Sequence, residues 1–483
     1  MPRRIAALSI AALLLACSEG GVRRLPDAGA PTCGDGRADP GEECDGSDLR
    51  GSSCTRLGFD LGTVSCDGQC RIVTSACVKP CGNGRIDPGE ACDATAGALV
   101  CATWGYKTCT ASCTVDTLHC RSDAFQLGIP VKQRFGGPAI VADLAPPGRG
   151  ELVIPDANPA RLQLYEYELF RGFSSRSPIS SPSGVPPSVP IAADLNGDGR
   201  IDLGAINTDG SADRYLYVPP GEALPDGGAP SPSGEYAVQH LLDAPGAGTP
   251  CALVEWIGAF RGQTDGSSDL AALACPSSTS PLTFEGVIVH RGGRVPAAAG
   301  WVPHAQTVAA ALADFDGDGT ADLLLAQQDG NLAVRAGPGF DSPSTPVSLG
   351  TMALRIAAGD LDGDGDADVV ISTAGALKIL ENMGTRLEER PSLPVSAFAV
   401  AVRDLDLDGH ADVVWLGGNT VEVLRNAGGF TFDAHPEPTG PGTPLSLAVG
   451  DFEGDGDMDI AATVLDSPGG TATTTHVLEN LVR

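Results

Sequence analysis

One acidic pattern recurs five times in this sequence, and it restricts the possible folds more than any other feature. We name each copy as a loop by the number of its first aspartate and count positions from that residue. Carboxylates packed this closely repel one another, so the pattern indicates that a cation compensates them. The copies are DLNGDGRID from Asp194, DFDGDGTAD from Asp314, DLDGDGDAD from Asp360, DLDLDGHAD from Asp404 and DFEGDGDMD from Asp451.

Calcium is the cation that the pattern suits best. Side-chain oxygens at positions 1, 3, 5 and 9, together with the backbone carbonyl at position 7, can surround one calcium ion, which takes oxygen ligands in a flexible geometry. Glycine at position 6 permits the tight turn. Acidic surface turns without any metal are the alternative.

The loops are not EF-hands. An EF-hand requires glutamate at position 12, where this chain has Ala205, Leu325, Ile371, Trp415 and Ala462. Short β-like runs flank the loops instead, such as LRIAAGDL before the aspartates of loop 360 and DVVIST after them. Each loop is therefore predicted to join two adjacent strands as a hairpin turn.

The spacing of the copies predicts the architecture. Loops 314, 360, 404 and 451 start 46, 44 and 47 residues apart. Two degenerate copies complete the series: one starts at Asp143 with Glu151 at position 9, and the other keeps only Asp265 and Asp269. Repeats of this length with about four strands each are typical of propeller blades. We therefore predict an all-β fold whose main part is a seven-bladed β-propeller.

Two further expectations concern the irregular parts of the propeller, which we assign to residues 121–483. The last repeat is one strand short, so residues 124–135 are predicted to supply its outer strand and remove an exposed edge. Cys251 and Cys275 flank the degenerate loop of the third blade. They are predicted to form a cross-strand disulfide there in place of a metal site.

The acidic loops resemble the FG-GAP/VCBS repeats of integrin α-chain propellers and of many bacterial surface proteins. In that family each loop lies between the first two strands of a blade and binds one calcium ion, so the resemblance implies up to five ions here. Glu453 is longer than the usual aspartate, and Leu407 replaces the usual glycine. The implied side-chain ligands are Asp194, Asn196, Asp198, Asp202, Asp314, Asp316, Asp318, Asp322, Asp360, Asp362, Asp364, Asp368, Asp404, Asp406, Asp408, Asp412, Asp451, Glu453, Asp455 and Asp459. The residues that would give only their carbonyls are Arg200, Thr320, Asp366, His410 and Asp457.

Two cysteine-rich repeats, 33–77 and 81–120, precede the acidic loops. They open with CGDGRADPGEECD and CGNGRIDPGEACD, and each contains six cysteines. Even counts behind an export signal favour disulfides, although six cysteines allow fifteen pairings and zinc is the alternative. The units resemble the CGNG-type repeats of bacterial and protist surface proteins, which implies a stapled spacer with no chemistry of its own.

The N-terminus predicts export and lipidation. MPRRIAALSIAALLLAC places two arginines before an apolar run that is too short to span a bilayer. Residues 1–16 are therefore predicted to be a signal peptide. The end of this run resembles the lipobox of bacterial lipoproteins, which implies lipidation at Cys17, an outer-membrane or cell-surface location and a flexible tether over 17–32. An ordinary signal peptide is the alternative.

Composition and motifs favour a binding protein over an enzyme. The chain has 483 residues and a net charge of −30, which argues against a nucleic-acid partner. Signatures such as G-x-S-x-G and H-E-x-x-H are absent, and the seven histidines are scattered singly, so no catalytic residue is predicted. We expect a monomeric, non-enzymatic surface lipoprotein for adhesion or for binding an unidentified protein or glycan. An extracellular polysaccharide lyase or hydrolase built on the propeller is the alternative.

Overall fold

A computed structural model of the chain describes most of the residues after the predicted tether. The described residues are 33–57, 59, 61–78, 86, 91–93, 99–101, 104–110, 112–121, 124–134, 136–144, 148–168, 172–181, 183–222, 235–242, 252–261, 265–276, 283–293, 300–341, 346–384, 386–418, 420–438 and 442–482. The predicted signal peptide, Cys17, the tether and Cys251 lie outside them, as does the side chain of Cys275. No helix in the described part is long and apolar enough to cross a membrane.

The chain divides into two compact units. The first comprises Met1–Ala96 and Ala111–Cys113, and the second comprises Gly97–Thr110 and Thr114–Arg483. The first cysteine-rich repeat lies in the first unit and contains one short 3-10 turn, Thr55–Leu57. Its strands pair as Leu61–Gly62 with Cys77–Val78 and as Ser65–Cys66 with Ile72–Val73.

Disulfides staple both cysteine-rich repeats, as the sequence predicts. The first repeat has the bonds Cys33–Cys70, Cys44–Cys66 and Cys54–Cys77, which join its cysteines first to fifth, second to fourth and third to sixth. The second repeat has the equivalent third-to-sixth bond, Cys101–Cys120. Its other described cysteines, Cys92, Cys109 and Cys113, are also disulfide-bonded, so no described cysteine of either repeat is free to bind zinc.

The opening motif of the first repeat folds around its final aspartate. The fully buried carboxylate of Asp45 accepts backbone N–H groups of Gly34, Asp35 and Gly36. The glycines at 34 and 36 have φ values of 106° and 87°, which other residues rarely adopt. The CGDG segment and the CD pair at the end of the motif are therefore held together by the hydrogen bonds of Asp45.

Six sheets of four or more antiparallel strands make up most of the described part of the second unit, and we number them in chain order. Sheet 1 contains Ile140–Ala142, Glu151–Ala157, Ala160–Glu168, Gly172–Ser175 and Ile179–Ser180. Sheet 2 contains Pro187–Ala193, Asp202–Asn207, Ala212–Val218 and Glu235–Leu242. Sheet 3 contains Leu253–Phe260, Asp269–Pro276, Phe284–His290, Gly300–Ala313, Asp322–Gln327, Asn331–Arg335 and Val347–Ser348. Sheet 4 contains Ala353–Gly359, Asp368–Thr373, Leu377–Asn382 and Leu387–Glu389. Sheet 5 contains Ala399–Arg403, Asp412–Gly417, Thr420–Asn426 and Phe432–Pro438. Sheet 6 contains Thr443–Gly450, Asp459–Leu465, Thr473–Asn480, Phe125–Leu127 and Val131–Gln133.

The first strands of successive sheets contact one another in order, and sheet 3 contributes both Leu253–Phe260 and Gly300–Ala313 to this series. Thr443–Gly450 of sheet 6 then contacts Ile140–Ala142 of sheet 1, so the series closes into a ring. Strands that line such a ring are crowded, which explains their many alanines and glycines. This is the all-β, propeller-type architecture predicted from the spacing of the loops.

Sheet 3 contains two repeats. Gly300–Ala313 pairs with Phe284–His290 through its first half and with Asp322–Gln327 through its second half. If the propeller has seven blades, the two halves of this strand belong to different blades. The count of seven stays a prediction.

Residues before the first repeat complete the last sheet. Phe125–Leu127 and Val131–Gln133 both pair with Thr473–Asn480, the last strand of the chain. The prediction that residues 124–135 supply the missing outer strand is confirmed.

The C-terminal part of the second cysteine-rich repeat folds with the propeller. It forms the strands Leu99–Val100, Tyr106–Cys109 and Val115–Asp116. Trp104 is 1% exposed and belongs to the same hydrophobic cluster as Phe125, Leu405 and Val482. This segment therefore packs on sheets 5 and 6 through a buried aromatic residue.

Candidate metal centres

All five acidic loops are hairpin turns between two adjacent strands, as predicted. The last residue before each loop pairs with the aspartate at position 9, as Ala313 does with Asp322 and Gly359 does with Asp368. The same register closes loops 194, 404 and 451. The acidic side chains of each loop are thereby brought to one end of a hairpin.

Three carboxylates converge in four of the loops. Oxygen atoms of the residues at positions 1, 3 and 9 lie within 4.8 Å of one another, which is close enough to share one cation. Loop 194 carries the neutral Asn196 at position 3 in place of the third carboxylate. The converging sets are Asp314, Asp316 and Asp322; Asp360, Asp362 and Asp368; Asp404, Asp406 and Asp412; and Asp451, Glu453 and Asp459.

The aspartate at position 1 holds the turn in shape. In loop 314, Oδ1 of Asp314 accepts the N–H of Gly317 at 2.8 Å, and its Oδ2 accepts the N–H of Gly319 at 2.8 Å. Loops 194, 360 and 451 contain the same two bonds. Position 4 has positive φ in every loop, including 59° at Leu407, where a side chain is strained. Loop 404 therefore has the same turn as the other loops, but with backbone strain at Leu407 that a glycine would avoid.

The aspartate at position 9 joins each loop to the rest of its sheet. In loop 314, Oδ2 of Asp322 accepts the N–H of Phe315 at 2.9 Å, and its Oδ1 accepts the N–H of Gly337 at 2.7 Å. Equivalent bonds occur in the other four loops. Burial raises the pKa of Asp202 to about 7 and that of Asp368 to about 6, despite these bonds. Burial therefore disfavours the ionised form of these carboxylates, and a cation beside them would offset that effect.

Position 5 lies outside the converging sets, although the sequence pattern assigns it a ligand. Its carboxylate accepts the N–H of position 7, as Asp318 does from Thr320 at 2.8 Å and Asp364 does from Asp366 at 3.1 Å. The same bond occurs in loops 194, 404 and 451. Position 5 therefore shapes the turn, and its role as a metal ligand stays a prediction.

The two degenerate repeats show what replaces the acidic loop. Glu151, at position 9 of the first, is 2.5 Å from Nη1 of Arg176. Asp269, at position 9 of the other, is 2.6 Å from Nη1 of Arg291. Among the described residues, no basic side chain lies within 4.0 Å of position 9 in loops 314, 360, 404 and 451, whereas Asp202 of loop 194 is near the buried Arg214. An arginine therefore compensates this carboxylate where the acidic loop is incomplete.

Asparagines that the sequence analysis missed connect neighbouring loops. Asn382 donates through Nδ2 to the carbonyls of Phe315 in loop 314, at 2.8 Å, and Ala367 in loop 360, at 3.3 Å. Asn426 connects loops 360 and 404 in the same way, and Asn480 connects loops 404 and 451. The recurring segments KILEN, EVLRN and HVLEN were the available signal.

Comparison with known proteins agrees with the repeat pattern. A family model described as an FG-GAP-like repeat matches residues 296–371 and 404–462. No curated protein matches the sequence of this chain.

Solved structures with a similar arrangement share little sequence with this chain. BBS1N, in a complex with ARL6DN soaked with lead, is 13% identical, with 74% of this chain and 98% of that chain covered and a TM-score of 0.49. A lectin from Agrocybe aegerita, described by its specific recognition of non-reducing terminal N-acetylglucosamine, is 18% identical, with 73% and 97% covered and a TM-score of 0.42. On the evidence of its own repeats, strand pairings and disulfides, this chain carries FG-GAP-like repeats on an all-β propeller-type fold that follows a disulfide-rich N-terminal region.

Proposed function

We propose that the protein is a non-enzymatic, calcium-stiffened binding propeller. The observation that carries this proposal is the contrast between the two kinds of repeat. Degenerate repeats neutralise the position 9 carboxylate with an arginine, whereas loops 314, 360 and 451 bring three carboxylates together without one. The carboxylates of such a cluster repel one another at neutral pH, so a bound metal ion would stabilise the fold.

The residues present fit calcium. The converging groups are carboxylate oxygens, which are the hard ligands that calcium prefers, and the backbone carbonyl of position 7 would be a further oxygen ligand. When bound, calcium would neutralise the carboxylates and fix the hairpin that each loop closes. Loop 194 has fewer charges because of Asn196, so we expect it to bind more weakly.

We further propose that the propeller is displayed outside the cell. The supporting features are the N-terminal signal-like sequence with Cys17 and the disulfides, which persist in oxidising compartments. A lipid on Cys17 would hold the protein at an outer membrane. A propeller that is stabilised by metal ions and preceded by disulfide-bonded repeats suits recognition of a protein or a glycan.

Calcium dependence is the property to test first. We expect EDTA to lower the melting temperature of the purified full chain and excess calcium to restore it. A site that binds only the folded state adds about 2.7 kcal/mol at a calcium concentration of 100 times Kd. Magnesium at the same concentration is the control, and it should restore less because it keeps more of its water. A melting temperature that responds to neither EDTA nor calcium would disprove the metal proposal.

The partner class needs a separate experiment. Binding to arrays of glycans and of surface proteins, measured in calcium and again in EDTA, would show whether the stiffened propeller is the recognition unit. Turnover of a polysaccharide on such an array would instead support the enzyme alternative.

A further inference from the structure

Loop 404 compensates its charge differently from the other complete loops. Nε of Arg425 lies 2.5 Å from Oδ2 of Asp406 at position 3, and its Nη2 lies 3.5 Å from Oδ2 of Asp408 at position 5. The Arg425 side chain is 2% exposed, and both aspartate side chains are fully buried. A guanidinium group, which stays charged at any physiological pH, therefore lies against two of the predicted metal ligands.

The position of Arg425 is occupied by an acid in the neighbouring repeats. Asn382, Asn426 and Asn480 are equivalent, because each donates its backbone N–H to position 9 of its own loop. The preceding residues are glutamate, arginine and glutamate, in the sequences EN, RN and EN. Of these three equivalent positions, only the one in the repeat of loop 404 carries a positive charge.

The same arginine holds a segment of the second cysteine-rich repeat. Its Nη1 donates to the carbonyl of Cys101 at 3.0 Å, and its Nη2 donates to the carbonyl of Gly105 at 3.5 Å. Nε1 of Trp104 donates to Oδ1 of Asn480 at 2.9 Å, and Trp104 packs on Phe125 with ring centroids 5.2 Å apart. Both carbonyls and the tryptophan belong to the segment closed by the Cys101–Cys120 disulfide.

We propose that loop 404 binds no metal ion and is instead a permanent, calcium-independent docking site for the segment that contains Cys101, Trp104 and Gly105, with Arg425 as its cation. A metal ion at Asp406 would have to displace a buried guanidinium and leave that charge and the carbonyls it binds unpaired, which is strongly unfavourable. In the pairs Arg176–Glu151 and Arg291–Asp269, an arginine likewise compensates the carboxylate where a complete loop would have a metal ion. The inference rests on the proposed calcium function in one respect only: the largest number of calcium ions that the protein would bind falls from five to four.

Hydrogen exchange of the full chain, purified in detergent, tests the proposal loop by loop. At a calcium concentration of 100 times Kd, exchange in residues 360–368 should slow by up to about a hundredfold relative to EDTA. Exchange in residues 404–412 should already be slow in EDTA and should change by less than about twofold. Equal calcium protection of both loops would overturn the proposal.

A second arm separates this proposal from the calcium function. In EDTA, Arg425→Gln should speed exchange in both 404–412 and 104–110 and leave 360–368 unchanged. Arg386→Gln, which removes a 68% exposed arginine from an ion pair in sheet 4, is the control and should change none of these regions. If calcium protects no loop, the calcium function fails, and this arm alone decides the docking site. If Arg425→Gln does not fold, the wild-type comparison in calcium and EDTA decides it.

Discussion

Two aspartates in loop 360 differ in role although they are only two residues apart. Asp364 accepts the N–H of Asp366 and shapes the turn, whereas Asp366 is expected to contribute only its backbone carbonyl to the metal. In excess calcium, Asp364→Ala should therefore lower the free energy of unfolding by about 2.7 kcal/mol if the site is lost at 100 times Kd. Asp366→Ala should change it by no more than about 0.5 kcal/mol. Urea unfolding of both variants makes the comparison, and equal losses would contradict these roles.

The side chain of Asp366 should nevertheless matter when metal is removed. Burial, together with Asp364 and Asp362, raises the pKa of Asp366 to about 6. A folded-state pKa above the unfolded value of 3.8 gives stability that is present below pH 3.8 and lost as the pH rises through 6. In EDTA, Asp366→Asn should therefore be more stable than wild type at pH 7, and this advantage should disappear by pH 4. Thermal melts across that range test the sign, and an advantage that grows on acidification would contradict it.

At the scale of strands and turns, Asn382 has the clearest structural role. Its side chain is 5% exposed and binds carbonyls of two successive loops. Asn382→Ala would leave the carbonyls of Phe315 and Ala367 unpaired, which should cost about 1–3 kcal/mol. Asn331→Ala is the matched control, because that amide bonds only to the exposed Asp329. Denaturant unfolding in calcium should show a clear loss for the first variant and little change for the second.

The bridging role of Asn382 is one of several features that were not predicted from the sequence. The hairpin loops, their β flanks and the outer strand from 124–135 follow from local pattern and spacing. The arginine compensation does not, because Arg425 lies 19 positions from Asp406 and no part of the repeat pattern marks an arginine as the partner of an acidic loop. The Trp104–Asn480 bond does not either, because it joins residues 376 positions apart, which meet only in the folded chain. The converging sets were predictable, since the pattern identified positions 1, 3 and 9, whereas the ligand role of position 5 stays a prediction.

Trp104 should anchor the second cysteine-rich repeat to the propeller. It is 1% exposed, contacts Phe125 and His435, and donates a hydrogen bond to Asn480. Replacing a buried tryptophan with alanine costs about 3–5 kcal/mol. Trp104→Ala should therefore lower the melting temperature of the full chain and increase proteolysis between residues 101 and 121. Trp301→Ala, at a 42% exposed tryptophan, is the control and should have a much smaller effect on stability.

At the scale of the whole molecule, we expect the stability of the propeller to depend on closure of the ring. The strand Thr473–Asn480 would be an exposed edge without its partners Phe125–Leu127 and Val131–Gln133. The two segments are held together beside this pairing, because the N–H of Leu481 donates to the carbonyl of Ala124 at 3.1 Å. A fragment of residues 136–482 should therefore melt at a lower temperature than a fragment of 124–482, and it should associate through its open edge.

A permuted fragment distinguishes edge pairing from any other effect of the deletion. Residues 124–135 attached after residue 482 through a short glycine linker would form a hairpin with the last strand in the same register, with Asn480 opposite Phe125. This fragment should recover the melting temperature of 124–482 and remain monomeric in light scattering. A permuted fragment with the same composition but 124–135 in scrambled order should not recover it. Recovery by the scrambled fragment would mean that the added residues act through general burial and that the specific strand pairing does not determine closure.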